Sequence, residues 1–470
     1  MKHSLKNSTA AIALIATLSA CSFLKDLMAP RVDSQIVMSK VRANDYKGAL
    51  ELATQRGFFS MDKMLRHLDL GGIYFLDGQY YHALKEFEQA QQLADNSQAL
   101  IKLSYAGETH EISMLHFYLS LAHFRLYQTG KQEAYVDEEG KEEPAKTLTD
   151  EEKQKHLEAA GNVLLAWNSW TSMYASEKKA DFTRDLLERT YGAFIQAQGK
   201  DNQQETARKL YESIPDLLNN DYAGKYPSAK KYAAGLKKYA TENRATLPNV
   251  EALVLTGFVE PKVAKTIKVP FSIATAVAAA KGDNAFVSSV VPADGLSFEI
   301  VEVKKPEIVP EQKIIVKDKK GKIIAEKSTV VSQPVSEIIY HRFGGDKTAE
   351  IQRKTVALQT GCLAGIRTNY PKYAEHMQKA DAYKQQHQNK KFAQHVGHAA
   401  VYAGAARAAC TGSKADTRAW EVLPANITEA AFKLNTGDYT AELSVKGQTV
   451  ARQDFSVKEG SPALLNFVRQ

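Results

Sequence analysis

The chain has 470 residues, 44% hydrophobic and 24% charged, the composition of a soluble globular protein with length for two or three domains. Its net charge of +7 includes Lys2 and Lys6 of an N-terminal leader, and the other basic residues are scattered rather than gathered into a patch. That scatter, together with the export signal described next, argues against nucleic acid as a partner.

Lys2, His3 and Lys6 precede an apolar run over residues 10–18. The run is too short to cross a bilayer and has the layout of a secretory signal. It leads into Leu18-Ser19-Ala20-Cys21, which resembles the bacterial lipobox. The resemblance implies a signal peptide over residues 1–20, cleavage before Cys21, and lipid (palmitate among the acyl chains) on that cysteine. The alternatives are an ordinary signal peptide with a chance cysteine, or a short anchor helix. Several acyl chains, at ~0.8 kcal/mol per buried CH₂, make such an attachment stable. Ser22 stands where lipoproteins kept in the inner membrane usually carry Asp. The expected location is therefore the periplasmic face of an outer membrane, with residues 21–32 as anchor and tether. No later segment approaches 18 consecutive apolar residues, so lipid is the only membrane attachment the sequence offers.

Residues 33–244 are helix-forming, with apolar residues at three- and four-residue spacing. Within them, Leu70, Gly71, Tyr74, Gly78, Tyr80, Ala83, Phe87 and Ala90 have the spacing of a tetratricopeptide repeat, with His67 in place of the leading Trp. Gly71 and Ala83 are small where two antiparallel helices would cross, Tyr74 and Phe87 fill the gaps, and Gly78 permits the turn. Tyr46 and Ala49 precede Tyr80 and Ala83 by 34 residues, one repeat length (80 − 46). Looser units run from Met114 to Tyr127 and from Tyr191 and Gly192 to Ala207, Tyr211 and Ile214. Between them the polar stretch 131–148, with Asp137-Glu138-Glu139 and Glu142-Glu143-Pro144, is expected to be a mobile loop. A cation or a basic partner is its alternative use. Thr149-Asp150-Glu151-Glu152 then fits a capping box. Stacked units of this kind leave an extended surface suited to peptides or protein helices.

The composition changes at Ala245-Thr246-Leu247-Pro248, and residues 249–470 are expected to form a strand-rich domain. Strand patterns run from Glu251 to Leu255 and through Ile267, Val269 and Phe271. Two more flank Asp318-Lys319-Lys320-Gly321 as a hairpin. Residues 344–409 read as a helical insertion, after which Tyr439, Ala441, Leu443 and Val445 alternate, Lys446-Gly447 turns, and Phe455 and Val457 return. The expected class is α+β, a helical repeat half followed by a small antiparallel sheet or sandwich carrying a helical insertion. Cys362 and Cys410 are left once Cys21 is lipidated, and in an oxidising compartment they are candidates for a disulfide, the alternative being two buried thiols.

Asp416, Thr417, Arg418, Trp420, Leu423 and Pro424 lie in an Asp-Thr-Arg-x-Trp-x-x-Leu-Pro stretch followed by Gly437-Asp438-Tyr439. The stretch resembles the hallmark of an uncharacterised family of bacterial envelope lipoproteins with a tetratricopeptide-like N-terminal half. Met114-Leu115-His116-x-Tyr118-Leu119 and Gly257-x-x-x-Pro261-Lys262 are similar to its other recurrent segments. The family implies envelope residence and no established activity. Asp416 and Arg418 beside Trp420 suggest either a charged contact site or a fastening in which Arg packs on the indole.

Several chemical motifs begin and stop. His110-Glu111 starts like a zincin helix, but Met114 stands where the second zinc-binding His belongs. Gly295-Leu296-Ser297-Phe298-Glu299 starts like a nucleophile elbow, but Glu299 replaces the Gly of the sharp turn. His395 and His398 share a helix face and would need His387 or His376 to hold a metal; surface histidines are the plainer reading. The sequence thus points to no catalytic residue, no metal, no cofactor and no small-molecule substrate. The expected function is a lipid-anchored scaffold binding another envelope protein. The alternatives are a peptidoglycan-binding protein or enzyme with the repeats as targeting module, and a structural subunit of an envelope assembly.

Overall fold

A computed structural model describes residues 34–55, 62–97, 105, 107–136, 140–178, 185–219 and 226–469. The leader, Cys21, Ser22 and the tether lie outside the described residues. Among the described residues no helix is long and apolar enough to cross a membrane. The protein is α+β, with helices and small sheets, and divides into two compact units.

The first unit runs to Val259 and takes in Glu307–Ile338 and Ala419–Gln470. Its helices follow one another as α1 (Ser34–Arg42), α2 (Tyr46–Gln55), α3 (Lys63–Leu76), α4 (Tyr80–Ser97), α5 (Thr109–Thr129), α6 (Asp150–Lys178), α7 (Leu186–Gln196), α8 (Asp201–Leu217), α9 (Pro227–Lys231) and α10 (Ala233–Ala245). From α1 to α8 each helix packs on the next in sequence. Local chemistry sets their ends. The Asp62 carboxylate caps α3, accepting from Met64 N at 3.2 Å. Gly130 closes α5 with φ of 62°, a conformation glycine adopts without a Cβ clash. Thr149 and Glu152 cap α6 reciprocally, Glu152 N donating to the threonine hydroxyl at 3.2 Å and Thr149 N to the carboxylate at 2.8 Å.

Of the acidic stretch 131–148, expected to be a mobile loop, Asp137, Glu138 and Glu139 lie outside the described residues. The rest carries two antiparallel ladders, β1 (Lys131–Gln132) with β4 (Lys146–Thr147) and β2 (Tyr135–Val136) with β3 (Glu142–Glu143). Two of its carboxylates, Glu133 and Glu143, have partners on α4. Tyr81 N donates to Glu133 at 2.9 Å, the Tyr81 hydroxyl donates to Glu143, and Tyr135 packs edge-on to the Tyr81 ring.

The strands of this unit make two four-stranded sheets. One has the order β10 (Val330–Gln333), β11 (Pro424–Phe432), β5 (Val250–Phe258), β14 (Ala463–Arg469). The other has the order β13 (Gln448–Val457), β12 (Gly437–Val445), β8 (Gln312–Asp318), β9 (Ile323–Ser328). Val250, Ala252 and Val254 share one core with Ile314 and Val316, Ala441 and Leu443, and Leu465 and Phe467, so the sheets form a sandwich. Lys446 (φ 50°) and Gly447 (φ 82°) connect β12 to β13, the paired positive φ of a tight hairpin turn. The sheets are not purely antiparallel: β14 runs parallel to β5, with Ala463 opposite Val250.

β5 also overturns the boundary expected at residues 245–248. Its alternate residues face the helices: Glu251, between two sandwich residues, reaches Tyr239 of α10. Ala431 and Val330 from the same sheet join a core with Leu186, Tyr211, Ile214 and Leu236. Helices and sandwich are therefore one unit, because the β10–β14 sheet is buried on both faces.

The second unit comprises Glu260–Pro306 and Ile339–Arg418. It holds the antiparallel pair β6 (Val263–Val269) and β7 (Leu296–Glu302), the short helices α11 (Ile273–Ala279) and α12 (Asn284–Val290), and the long hairpin α14 (Thr348–Gln385) and α15 (Asn389–Ala409). Helix α13 (Val335–Phe343) carries the chain from the first unit into the second. Its core gathers Phe286, Phe298 and Ile300 with Cys362, Ile366, Ala406 and Cys410. The insertion expected at 344–409 is thus most of a unit in its own right.

Candidate functional site

The repeat-signature residues meet where α3 crosses α4. A methyl group on Gly71 would lie 2.6 Å from the Phe87 ring, so only glycine admits this approach. Leu70, Ala83, Phe87 and Ala90 are buried. Tyr74 is half-buried and stacks on His82 at 4.9 Å, and Tyr80 lies 5.3 Å from Phe75. Gly78 turns the chain between the helices at φ 81°. His67 links α3 to α4 through Glu86 at 2.7 Å.

The second motif arrives at the same place. Trp420 is 1% exposed and packs 5.8 Å from Phe87 and 5.5 Å from Tyr118. Val422 closes over Gly72, where a Cβ would fall 2.8 Å from its Cγ1. Two carboxylates of the helices accept from the backbone of the incoming segment: Glu111 from Trp420 N at 2.7 Å, and Asp69 from Glu421 N at 3.3 Å. Burial, and then the Glu421 charge, push the Asp69 carboxyl well up from its ordinary value. Leu423 and Pro424 are buried, and Pro424 opens β11 opposite Phe258. In the second unit, Asp416 and Arg418 pair with each other at 2.8 Å at a half-exposed position, with Thr417 between them. The arginine holds the Asp416 carboxyl below its ordinary value. The motif therefore serves two places: its aromatic half fills a face of the helices, and its charged half makes a local turn.

Behind β5 and β11 lies a polar network that no sequence motif marks. The Tyr239 hydroxyl reaches Glu251 at 3.1 Å and Glu429 at 3.3 Å, and Thr190 donates to Glu429 at 3.0 Å. Nearby, Asp185 caps α7, accepting from Leu187 N at 2.9 Å, from the Ser113 hydroxyl, and from Gln333 at 2.9 Å. All three carboxylates are 0% exposed. Burial raises Asp185 to about 6 and Glu429 to about 7, and raises Glu251 well above its ordinary range with the Glu429 charge as the second cause. The trace these residues leave in the sequence is a charge in an otherwise apolar strand, as in Val250-Glu251-Ala252-Leu253. Sealed from solvent, they can tie helices to sheet but cannot touch a substrate.

On the surface of the same unit, an open cleft of about 620 Å³ lies between α10 and the strands β8 to β10. Its walls carry lysines and glutamates that neutralise one another: Lys313 with Glu326 at 3.0 Å, Lys327 with Glu242 at 3.4 Å, and Lys238 with Glu242 at 3.8 Å. Tyr232, Tyr239, Val330 and Ala430 also line it. Such a cleft offers mixed-charge contacts without a convergent reactive group.

The incomplete motifs have other uses in the structure. Glu111 of the zincin-like start is the acceptor for Trp420, and Met114 is fully buried. Glu299 of the elbow-like start sits on β7 and accepts from Lys414 at 2.6 Å and from Ala415 N at 3.1 Å. Cys362 and Cys410 are joined as a disulfide between α14 and α15, with Cα atoms 4.2 Å apart. His395 and His398 meet His376, not His387, which occupies the left-handed turn between the helices at φ 56°. Comparison with protein-family models, with curated proteins and with solved structures finds no match.

Proposed function

We propose that the protein is a lipid-anchored scaffold on the periplasmic face of an outer membrane, whose tetratricopeptide-like helices bind another envelope protein. The observation that carries this reading is the serial packing of α1 to α8, with small residues at the α3–α4 crossing. Helices stacked in sequence order build an extended surface rather than a closed pocket, and such surfaces recognise protein segments. The lipobox-like Leu18-Ser19-Ala20-Cys21 supports the anchor. Asp185, Glu251 and Glu429, whose carboxyls burial raises, lie in the core, which favours binding over chemistry. Trp420 and Val422 already cover the face around Gly72 and Phe87, so the partner's surface lies elsewhere along the helices, and the sandwich braces them.

Two measurements test the proposal. Cross-linking in intact cells, followed by mass spectrometry, should place one or two envelope proteins against residues 40–215. Cross-links confined to residues 249–470, or none above background, would overturn the scaffold reading. Cys21→Ala should leave unprocessed precursor that takes up no labelled palmitate, whereas normal maturation would overturn the anchor.

A further inference from the structure

We propose that His376, His395 and His398 form a binding site for one divalent transition-metal ion of the imidazole-preferring class, held between α14 and α15. Each residue offers a ring nitrogen, and these three atoms lie within 4.8 Å of one another. Around an ion with metal–nitrogen bonds of about 2.0–2.1 Å, ligating nitrogens stand roughly 3.3 Å apart. Side-chain rotations moving each atom by about an ångström close the site, with no change in the helices.

The hairpin prepares this arrangement. His395 and His398 are i, i+3 on α15 and so share a face. His376 comes from α14, its Nδ1 2.9 Å from His395 Nδ1, and its ring centroid is 5.0 Å from that of His398. Two nitrogens at 2.9 Å share one proton at most, so at least one ring presents a lone pair to the other. The register that brings them together is fixed covalently. His376 lies 14 residues after Cys362 (376 − 362), and His395 lies 15 before Cys410 (410 − 395), so the disulfide pins the same antiparallel pairing about 21 Å away.

The surroundings suit a metal ligand set. Tyr383 stacks on His395 at 5.4 Å and Tyr402 on His376 at 5.8 Å, walling two of the rings and limiting their rotation. The nearby lysines are engaged: Lys379 with Glu375 at 2.6 Å, Lys372 over the Tyr402 ring and Lys391 over the Tyr383 ring. Glu375 is tied to Lys379, and His398 is exposed, so the fourth coordination position faces solvent and takes water or a small exchangeable ligand. Three imidazoles select zinc, copper or nickel over calcium or magnesium, which prefer oxygen.

The test uses the purified full chain without a histidine tag, stripped with chelator, and Zn²⁺ alone as the probe. Calorimetric titration should find one ion per chain. His376→Ala and His395→Ala should each weaken binding at least about tenfold, the loss typical even of residues supporting a ligand set. His398→Ala, at an exposed position, should do so without disturbing the fold, and circular dichroism checks each variant. Cu²⁺ added in place of zinc should show coupling to imidazole nitrogens in its electron paramagnetic resonance spectrum. His387→Ala should bind as the wild type does. The other histidine pair, His123 and His156, also stands 2.9 Å apart, between α5 and α6, and serves as a control. No zinc bound by the wild-type chain, binding undiminished by His376→Ala, His395→Ala or His398→Ala, or binding lost instead with His123→Ala would overturn the proposal.

Discussion

Trp420 donates its backbone N–H to the Glu111 carboxylate at 2.7 Å across 309 residues of sequence. The same carboxylate accepts from Glu108 N at 2.8 Å and from the Tyr105 hydroxyl, and it is 0% exposed. One buried acid therefore fixes the start of α5 and, with the Phe87 and Tyr118 rings, the segment that leads into β11. Such a group is stable only while all its donors are present.

Replacing Glu111 with Ala leaves two backbone donors without this acceptor. The expected loss is about 2–4 kcal/mol of unfolding free energy, read from urea denaturation. Trp420→Ala should cost about 3–5 kcal/mol. The double variant should cost less than the two added together, because the partners are in contact. Full additivity would show that the two residues act separately.

Two glycines in helices should respond in opposite directions. Gly71→Ala drives a methyl group against the Phe87 ring, and an overpacking cost of about 1–3 kcal/mol outweighs the gain of up to about 1 kcal/mol in helix propensity. Gly397 lies inside α15, and a Cβ there would meet nothing within 4 Å. Gly397→Ala should stabilise by about 0.5–1 kcal/mol, measurable as a raised melting temperature.

Stability should fall as pH rises through the neutral range. Glu429 is held up to about 7 against an ordinary 4.5, and Asp185 up to about 6. Between those limits the folded chain keeps protons that the unfolded chain has released. The favourable contribution is complete below the unfolded value and is lost as pH climbs through the folded one. Glu429→Gln imitates the protonated acid. It should match the wild type near pH 4.5 and exceed it at pH 8 by up to about 3 kcal/mol, since each tenfold change in proton affinity is worth about 1.4 kcal/mol. Equal stabilities at both pH values, from denaturant midpoints, would remove the titration from the account.

The Cys362–Cys410 bond closes a loop with a sequence separation of 48, and for a loop of that length the expected contribution is about 4 kcal/mol. Reduction, or Cys362→Ser with Cys410→Ser, should speed amide exchange along α14 and α15 first. Unchanged protection in the reduced protein would show that the hairpin stands on its packing alone.

Elements with a local signal are legible in the sequence. Alternation in Tyr439, Ala441, Leu443 and Val445, with Lys446-Gly447 after it, specifies β12 and its turn by period and by positive φ. The Gly71, Ala83 and Phe87 spacing marks a close helix crossing. What escapes depends on partners distant in sequence. β5 reads as an ordinary strand, yet its two faces belong to different layers, which removes the boundary expected beside it. The acidic arm reads as unstructured because the partner of Glu133 and Glu143, Tyr81 of α4, lies 50 or more residues away. His376 and His387 are equal candidates by spacing, and the geometry of the hairpin turn decides between them.

The placement of β5 between β11 and β14 has a consequence for how the molecule comes into being. The strand is translated 166 residues before β11 begins (424 − 258), and β14 follows later still. Throughout that interval both of its edges are open, beside helices whose apolar face has no sheet to rest on. A nascent chain in this state is a template for any extended segment that reaches it first, including the same segment of a neighbouring copy. The last strands are thus the ones that protect the earliest, and yield of folded protein should depend on how quickly synthesis delivers them.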